Sequence, residues 1–350
     1  MIHWKTTPIL IAVASLWLLP GHLFANADPS NSLQPVALQR LTSEMLANNQ
    51  GLLALQQQVA ALKEEVQAAG ALDDPRLGFG LLNLPVDSFR FDKEPMTQKQ
   101  ITLAQRIPWF GKLDLKTQRA TLNAVRLESA LNARRLTLIR ELTDAYYELG
   151  FMAVSLTINE RMADLLDQIL RVAETRYASG NGLQQDVLQA QVEQSRLMDQ
   201  HNILQGQRRT IEARINGLLN RSTFASIVVP TPDNLPDLDG AVANWKAIAL
   251  DSNPDVHTRR VEIDQARVDI DLSRKAYYPD PDLRLAYGQR DEDPNGNNRS
   301  DFVSALVVVN LPLWAKRKQA PKYEAAVKRR DAAQAQFRDL IAQLPHQVDA

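Results

Sequence analysis

The side chains able to do chemistry are scattered along this chain. The five histidines, His3, His22, His201, His257 and His346, have no spacing with the acidic residues that would converge on a metal. Methionines stand singly and form no ladder. There is no cysteine, which excludes disulfides, thiolate metal sites, a thiol nucleophile and a lipid anchor carried on cysteine. Asp73 with Asp74, and Asp291-Glu292-Asp293, lie among turn formers. Asp264, Asp269 and Asp271 fall on a polar helix face, where they are solvated or line a lumen. A formal net charge of −1 supplies no basic field for nucleic acid. The sequence therefore assigns no catalytic residue, no cofactor and no metal, and argues against an enzyme.

What the residues do carry is a duplication. DPRLGFG (Asp74 to Gly80) returns as DPDLRLAYG (Asp280 to Gly288), and RIPWFGK (Arg106 to Lys112) returns as NLPLWAK (Asn310 to Lys316). Pro75 and Pro281 stand 206 positions apart, and Pro108 and Pro312 stand 204 apart. Two matches at nearly one offset describe a repeated unit and an architecture built by symmetry. In each unit a helical approach leads into two short strands and then into a long helical departure.

The strands are expected at 76–85 and 98–108, and again at 282–290 and 301–313. Ile101, Leu103 and Ile107 alternate with Gln100, Thr102 and Arg106, and Leu283, Leu285 and Tyr287 alternate with Arg284, Ala286 and Gly288. Runs of about ten residues suffice to cross a bilayer as tilted strands. The intervening segments, 86–97 and 291–300, then lie outside the cell. Leu103 and Leu285 are read as facing lipid, and Thr102 and Ala286 as facing away from it.

The helices follow from apolar steps of three and four. The approach helix spans 36–70, with Leu41, Met45, Leu52, Leu55, Val59, Leu62 and Val66 on its stripe. The long helix runs from Lys112 to about Tyr177 and is marked by Leu136, Ile139, Leu142, Tyr146 and Leu149, then by Met162, Leu166, Ile169 and Val172. At 1.5 Å per residue it reaches ~100 Å, which calls for coiled-coil-like packing. A returning helix covers Leu183 to Leu219. Approach and return together nearly equal the long helix, so they are expected to stack end to end along it. Further helices are expected over 241–250, 254–277 and from about Ala320 onward.

The turn at ASGNG (Ala178 to Gly182) needs residues that tolerate positive φ, and Gly180 and Gly182 are expected to supply them. Asp186 falls in the first turn of the return helix, where its charge complements the helix dipole.

At the N-terminus, Lys5, the apolar run Pro8 to Leu19, the break at Pro20-Gly21 and the Ala25-Asn26-Ala27 site read as a cleaved signal peptide over 1–27. The mature chain is expected to begin at Asp28. Its units are 28–220 (first repeat), 221–253 (connecting segment) and 254–350 (second repeat).

The order of PWFGK, RYASGNGLQQDVLQAQ (Arg176 to Gln191), SNPDV (Ser252 to Val256) and AYYPDPDLRLAYG (Ala276 to Gly288) resembles the TolC-like outer-membrane efflux protein family. In length and in the PWFGK junction the chain is similar to its metal-cation efflux branch. The resemblance implies a mainly α protein with a small transmembrane β part. Each chain of a homotrimer gives four strands to a shared twelve-stranded barrel in outer-membrane lipid, and the helices form a periplasmic tunnel in a Gram-negative cell. It further implies a periplasmic adaptor (a membrane fusion protein) at the hairpin tip, onto Arg176, Gly180, Gly182, Asp186, Val187 and Leu188, and an inner-membrane pump behind it. Pro108, Trp109, Gly111, Pro312 and Trp314 would form the barrel–helix junction, with Trp109, Phe110 and Trp314 as interfacial aromatics. In the family the second unit ends in its own hairpin, which by analogy with 112–219 would take roughly a hundred residues beyond Ala350. The family's acidic constriction lies there, so no gate residue is assigned. The competing readings are a periplasmic coiled-coil adaptor or scaffold, which would lack duplicated ten-residue strands, and the outer-membrane component of a type I secretion system.

Overall fold

A computed structural model describes residues 36–228 and 242–349. The signal-peptide reading of 1–27 lies outside the described residues, as do positions 229–241 of the connecting segment. In chain order the elements are α1 (Val36–Asn48), α2 (Gln50–Ala69), β1 (Arg76–Leu82), β2 (Gln98–Arg106), α3 (Lys112–Ala178), α4 (Gln184–Leu218), α5 (Val242–Ser252), α6 (Pro254–Lys275), β3 (Pro281–Gln289), β4 (Phe302–Val309) and α7 (Ala315–Asp349). The chain is mainly helical with four strands, the fold class its sequence implies.

The backbone of the molecule is α3, 67 residues without a break. α2 and α4 both lie along it, and α6 packs between α3 and α7. The main core forms where four helices meet. There Leu138, Leu142, Ala145 and Leu149 of α3 meet Leu38 and Met45 of α1, Leu52 and Val59 of α2, and Ile211 and Ile215 of α4. Leu142 and Leu149 are wholly buried. The expected stripe is thus right at Leu142, Tyr146 and Leu149, but Leu136 is half exposed and Leu138 takes its place. Further along α3, Met162, Ile169 and Val172 are exposed on the single chain.

Two element boundaries differ from expectation. The approach helix is broken at Asn49, whose side chain accepts from the Leu52 amide at 3.1 Å and donates to the Leu218 carbonyl at 3.4 Å. That one residue both caps α2 and fixes the end of α4 against it. The Arg221–Glu44 ion pair closes the same joint. α7 begins at Ala315, before the expected Ala320, because Pro321 is accommodated inside its early turns. Among the described residues no helix is long and apolar enough to cross a membrane.

The four strands form one antiparallel sheet in the order β1-β2-β3-β4. Each strand ends earlier at its C-terminus than expected; after β1, Asn83 turns the chain with a φ of 54°, and after β4, Asn310 leaves the ladder to accept from the Asp280 amide at 2.7 Å. The duplication is also geometric. Arg76 opposes Ala104 in the first hairpin, and Asp282 opposes Val308 in the second. Those partners lie 206 and 204 positions later, the offsets of the sequence repeat.

Candidate functional site

The sheet sorts its side chains by face because successive residues of a strand point to opposite sides. Leu77, Leu103, Leu285 and Ala305 form one cross-strand row, and Phe79, Ile101, Tyr287 and Val303 form the next. On the opposite face Gly78, Thr102, Ala286 and Ser304 form a row of small and polar groups. The apolar rows are accessible, with Phe79 75% exposed, and nothing in the chain covers them. Strands of 7–9 residues rise ~23–30 Å along their own axes, close to the ~25 Å height of the apolar band of an outer-membrane barrel. At the far end the two hairpin loops are tied together. The Arg290 guanidinium donates to the Pro95 carbonyl, Arg299 donates to those of Glu94 and Asp92, and Lys99 pairs with Asp291 at 2.9 Å.

At the near end the sheet passes into the helices through Asp280. Its carboxylate accepts from the Trp109 amide at 2.9 Å, from Lys112 Nζ at 2.5 Å and from Arg106 at 3.2 Å. Lys112 also reaches the Tyr278 carbonyl, and the Ile107 amide donates to the Pro281 carbonyl at 2.8 Å. Lys112 and Asp280 are both largely buried. Burial opposes ionisation of Asp280, but Lys112, the Trp109 amide and Arg106 outweigh it and hold the carboxyl below the usual carboxylate range. Trp109 stacks on Tyr278 at 5.3 Å. Gly111 takes a φ of 76°, which the chain needs to leave the Pro108-Trp109 turn and enter α3. Pro312 and Trp314 repeat Pro108 and Phe110 in the segment after β4, where Trp314 is exposed. The sequence singled out Pro108, Trp109 and Gly111 but missed Asp280 and Tyr278, which organise them. The signal was there, since Asp280 repeats Asp74.

The tip of the α3–α4 hairpin closes by a Schellman motif. The Gly180 amide donates to the Tyr177 carbonyl at 3.0 Å and the Asn181 amide to that of Arg176 at 2.9 Å, with Gly180 at a φ of 72°. Gly182 corrects the expectation, because its φ is not positive. It is needed for close approach: a Cβ there would stand 3.0 Å from the Tyr177 nitrogen and from Arg176 Cβ. Asp186 sits in the first turn of α4 as expected. Arg176, Asp186 and Leu188 are exposed and Val187 is half-buried. Tyr177 and Leu183, which the sequence reading passed over, are exposed beside them.

The remaining candidate groups are absorbed locally. Asp264, Asp269 and Asp271 each pair with an arginine (Arg267, Arg119 and Arg274). His257 Nδ1 contacts Ser129 Oγ at 2.7 Å, and His201 contacts Gln205. Asp293 closes its own turn on the amides of Asn295 and Asn297.

A family model described as outer membrane efflux protein matches residues 41–221, just over half of the chain. The chain belongs to the outer membrane efflux protein family. It is an outer-membrane efflux channel component and not an enzyme. No curated protein matches its sequence. Several solved structures share its fold. A membrane protein from Pseudomonas aeruginosa aligns with a TM-score of 0.74 at 19% identity, over 89% of this chain and 74% of that one. The outer membrane protein VceC from Vibrio cholerae aligns at 0.71 and 18%, over 89% and 77%. The Campylobacter jejuni CmeC outer membrane channel aligns at 0.72 and 14%, over 96% and 76%.

Proposed function

We propose that three copies of this chain form a passive duct, the exit of a tripartite efflux system whose inner-membrane pump and periplasmic adaptor deliver the cargo. One observation carries the reading. The four-stranded sheet has an apolar outer face, yet β1 and β4 are both unpaired edges. A bilayer tolerates no open edge, and four strands are too few to close on themselves. Three copies give twelve strands and a lumen faced by the Gly78–Ser304 row. The exposed Met162, Ile169 and Val172 on α3 then have other tunnel helices to pack against.

The tip is the docking site for the adaptor in this reading. Tyr177, Leu183 and Leu188 offer apolar surface beside Arg176 and Asp186, a mixture suited to a partner hairpin. Asp186→Lys tests it. The side chain is exposed and only complements a helix dipole, so the trimer should still reach the membrane. Adaptor cross-linking and efflux should fall. Normal cross-linking and normal efflux in that variant would reduce Asp186 to a structural residue of the turn.

The cargo is small molecules or metal cations. The PWFGK junction favours cations, and loss of metal tolerance on deleting the gene, restored by the intact gene, is the measurement that separates the two.

A further inference from the structure

We infer that adjacent copies are clasped at the base of the barrel by Asp74 of one chain and Lys316 of the next, with Leu72 of the first packing under Leu313 of the second. The inference rests on the three-copy barrel proposed above and specifies how its seam is made.

The internal symmetry of the sheet implies the seam. β1 corresponds to β3 and β2 to β4, and both hairpins keep one register under the repeat offsets. The inner pair, β2 with β3, therefore has a counterpart: β4 of one copy with β1 of the next. Every junction contact made on Asp280 should recur there with the equivalent residues. Lys112 and Asp280 become Lys316 and Asp74. Trp109 and Tyr278 become Leu313 and Leu72. Ile107 and Pro281 become Leu311 and Pro75. The ladder should place Val309 opposite Leu77, Val307 opposite Phe79 and Ala305 opposite Leu81, which puts apolar residues on the same outward face in both chains.

Three features of the single chain agree with an absent partner of this kind. Ile107 and Trp109 are half-buried, while their equivalents Leu311 and Leu313 are 69% and 77% exposed. The Leu313 amide, matching the one that Asp280 accepts from Trp109, turns back to Leu311 O at 2.9 Å. Neither Asp74 nor Lys316 has an ion-pair partner among the described residues, whereas Asp280 and Lys112 pair with each other. The chemistry is also conserved by class within the repeat: carboxylate with ammonium in both units, an aromatic pair inside the chain and an aliphatic pair between chains. The charges are complementary along the whole base, with Asp73 and Asp74 ahead of β1 and Lys316, Arg317 and Lys318 after β4.

Cysteine pairs in the full-length exported protein test this cleanly, since the chain has none of its own. Positions 74 and 316 flank opposite edges of a four-stranded sheet, about 14 Å apart at strand spacings of ~4.8 Å, beyond the ~7 Å reach of a disulfide. An oxidised Asp74→Cys/Lys316→Cys protein can therefore link only between chains. The expected result is covalent dimers and trimers on denaturing, non-reducing gels, absent from either single variant. In parallel, Asp74→Lys and Lys316→Asp should each lower the yield of heat-modifiable trimer, and the double exchange should restore it. A protein that is monomeric by native mass spectrometry in detergent would remove the barrel reading itself. A trimer that links instead through Asp74→Cys with a cysteine at Lys318, or whose double exchange fails to recover, would overturn the clasp while leaving the trimer intact.

Discussion

Leu103 and Leu285 are directly paired near the middle of β2 and β3, on the apolar face. Each is about half exposed on the single chain, with nothing but lipid left to cover it in a closed barrel. An arginine at the midplane of a barrel costs ~2–4 kcal/mol. Because every chain of a trimer carries the change, Leu103→Arg or Leu285→Arg should cost about 6–12 kcal/mol per assembled barrel. That is comparable with the whole stability of a domain. Thr102→Arg and Ala286→Arg move the same charge one residue along, onto the small and polar face, where an aqueous lumen can solvate it. The assay is the amount of heat-modifiable oligomer recovered from purified outer membranes, with total expressed protein as the reference. The first two variants should be strongly depleted and the second two close to wild type. Equal recovery of all four would mean that neither face meets lipid, and the sheet would then be a soluble hairpin pair.

Gly180→Val and Gly182→Val should both loosen the hairpin tip, seen as new proteolysis between Arg176 and Asp186, but for different reasons. The first forces a β-branched residue to positive φ at ~1–2 kcal/mol, and the second drives a side chain into the Tyr177 backbone, so Gly182→Ala should already be harmful. Asp280 is held below the usual carboxylate range, so it stabilises the junction at neutral pH and loses that contribution as the pH falls through its lowered value. Asp280→Asn should therefore destabilise the protein at pH 7 and flatten its acid unfolding limb below about pH 4, measured by circular dichroism. Leu142→Ala leaves a cavity in the main helical core and should cost ~2–5 kcal/mol in chemical denaturation, whereas Leu136→Ala, half exposed, should cost far less.

Much of this fold is written in local patterns. The alternation around Leu103 and Leu285 marks two strands and separates an apolar from a polar face, because successive residues of a strand point to opposite sides. The Pro-free stretch after Lys112 gives α3 its length. What escapes local pattern is set by partners distant in sequence. The apolar steps run straight through Asn49, and the break appears only once Leu218 is there to receive its amide. The last helix is expected from about Ala320, yet α7 begins five residues earlier at Ala315 and carries Pro321 inside it. Gly182 looks like a second turn glycine, but its constraint is the approach of Tyr177, a distance no spacing rule encodes. Asp280 was visible as a repeat of Asp74, although only the fold brings Lys112, Arg106 and the Trp109 amide onto it.

The joint at Asn49 has a mechanical consequence. Along the rod, α3 is one unbroken ladder of backbone hydrogen bonds, while the opposite side is made of two pieces that meet end to end at Asn49 and Leu218. Flexing such a beam at the joint separates two caps and an Arg221–Glu44 contact, but it severs no helical hydrogen bond on the jointed side. Elsewhere the same bend would have to stretch both sides at once. The beam's length is therefore set by α3, and its direction at mid-height is set by one asparagine. In the duct proposed above, any bending of the helical wall would concentrate at that level.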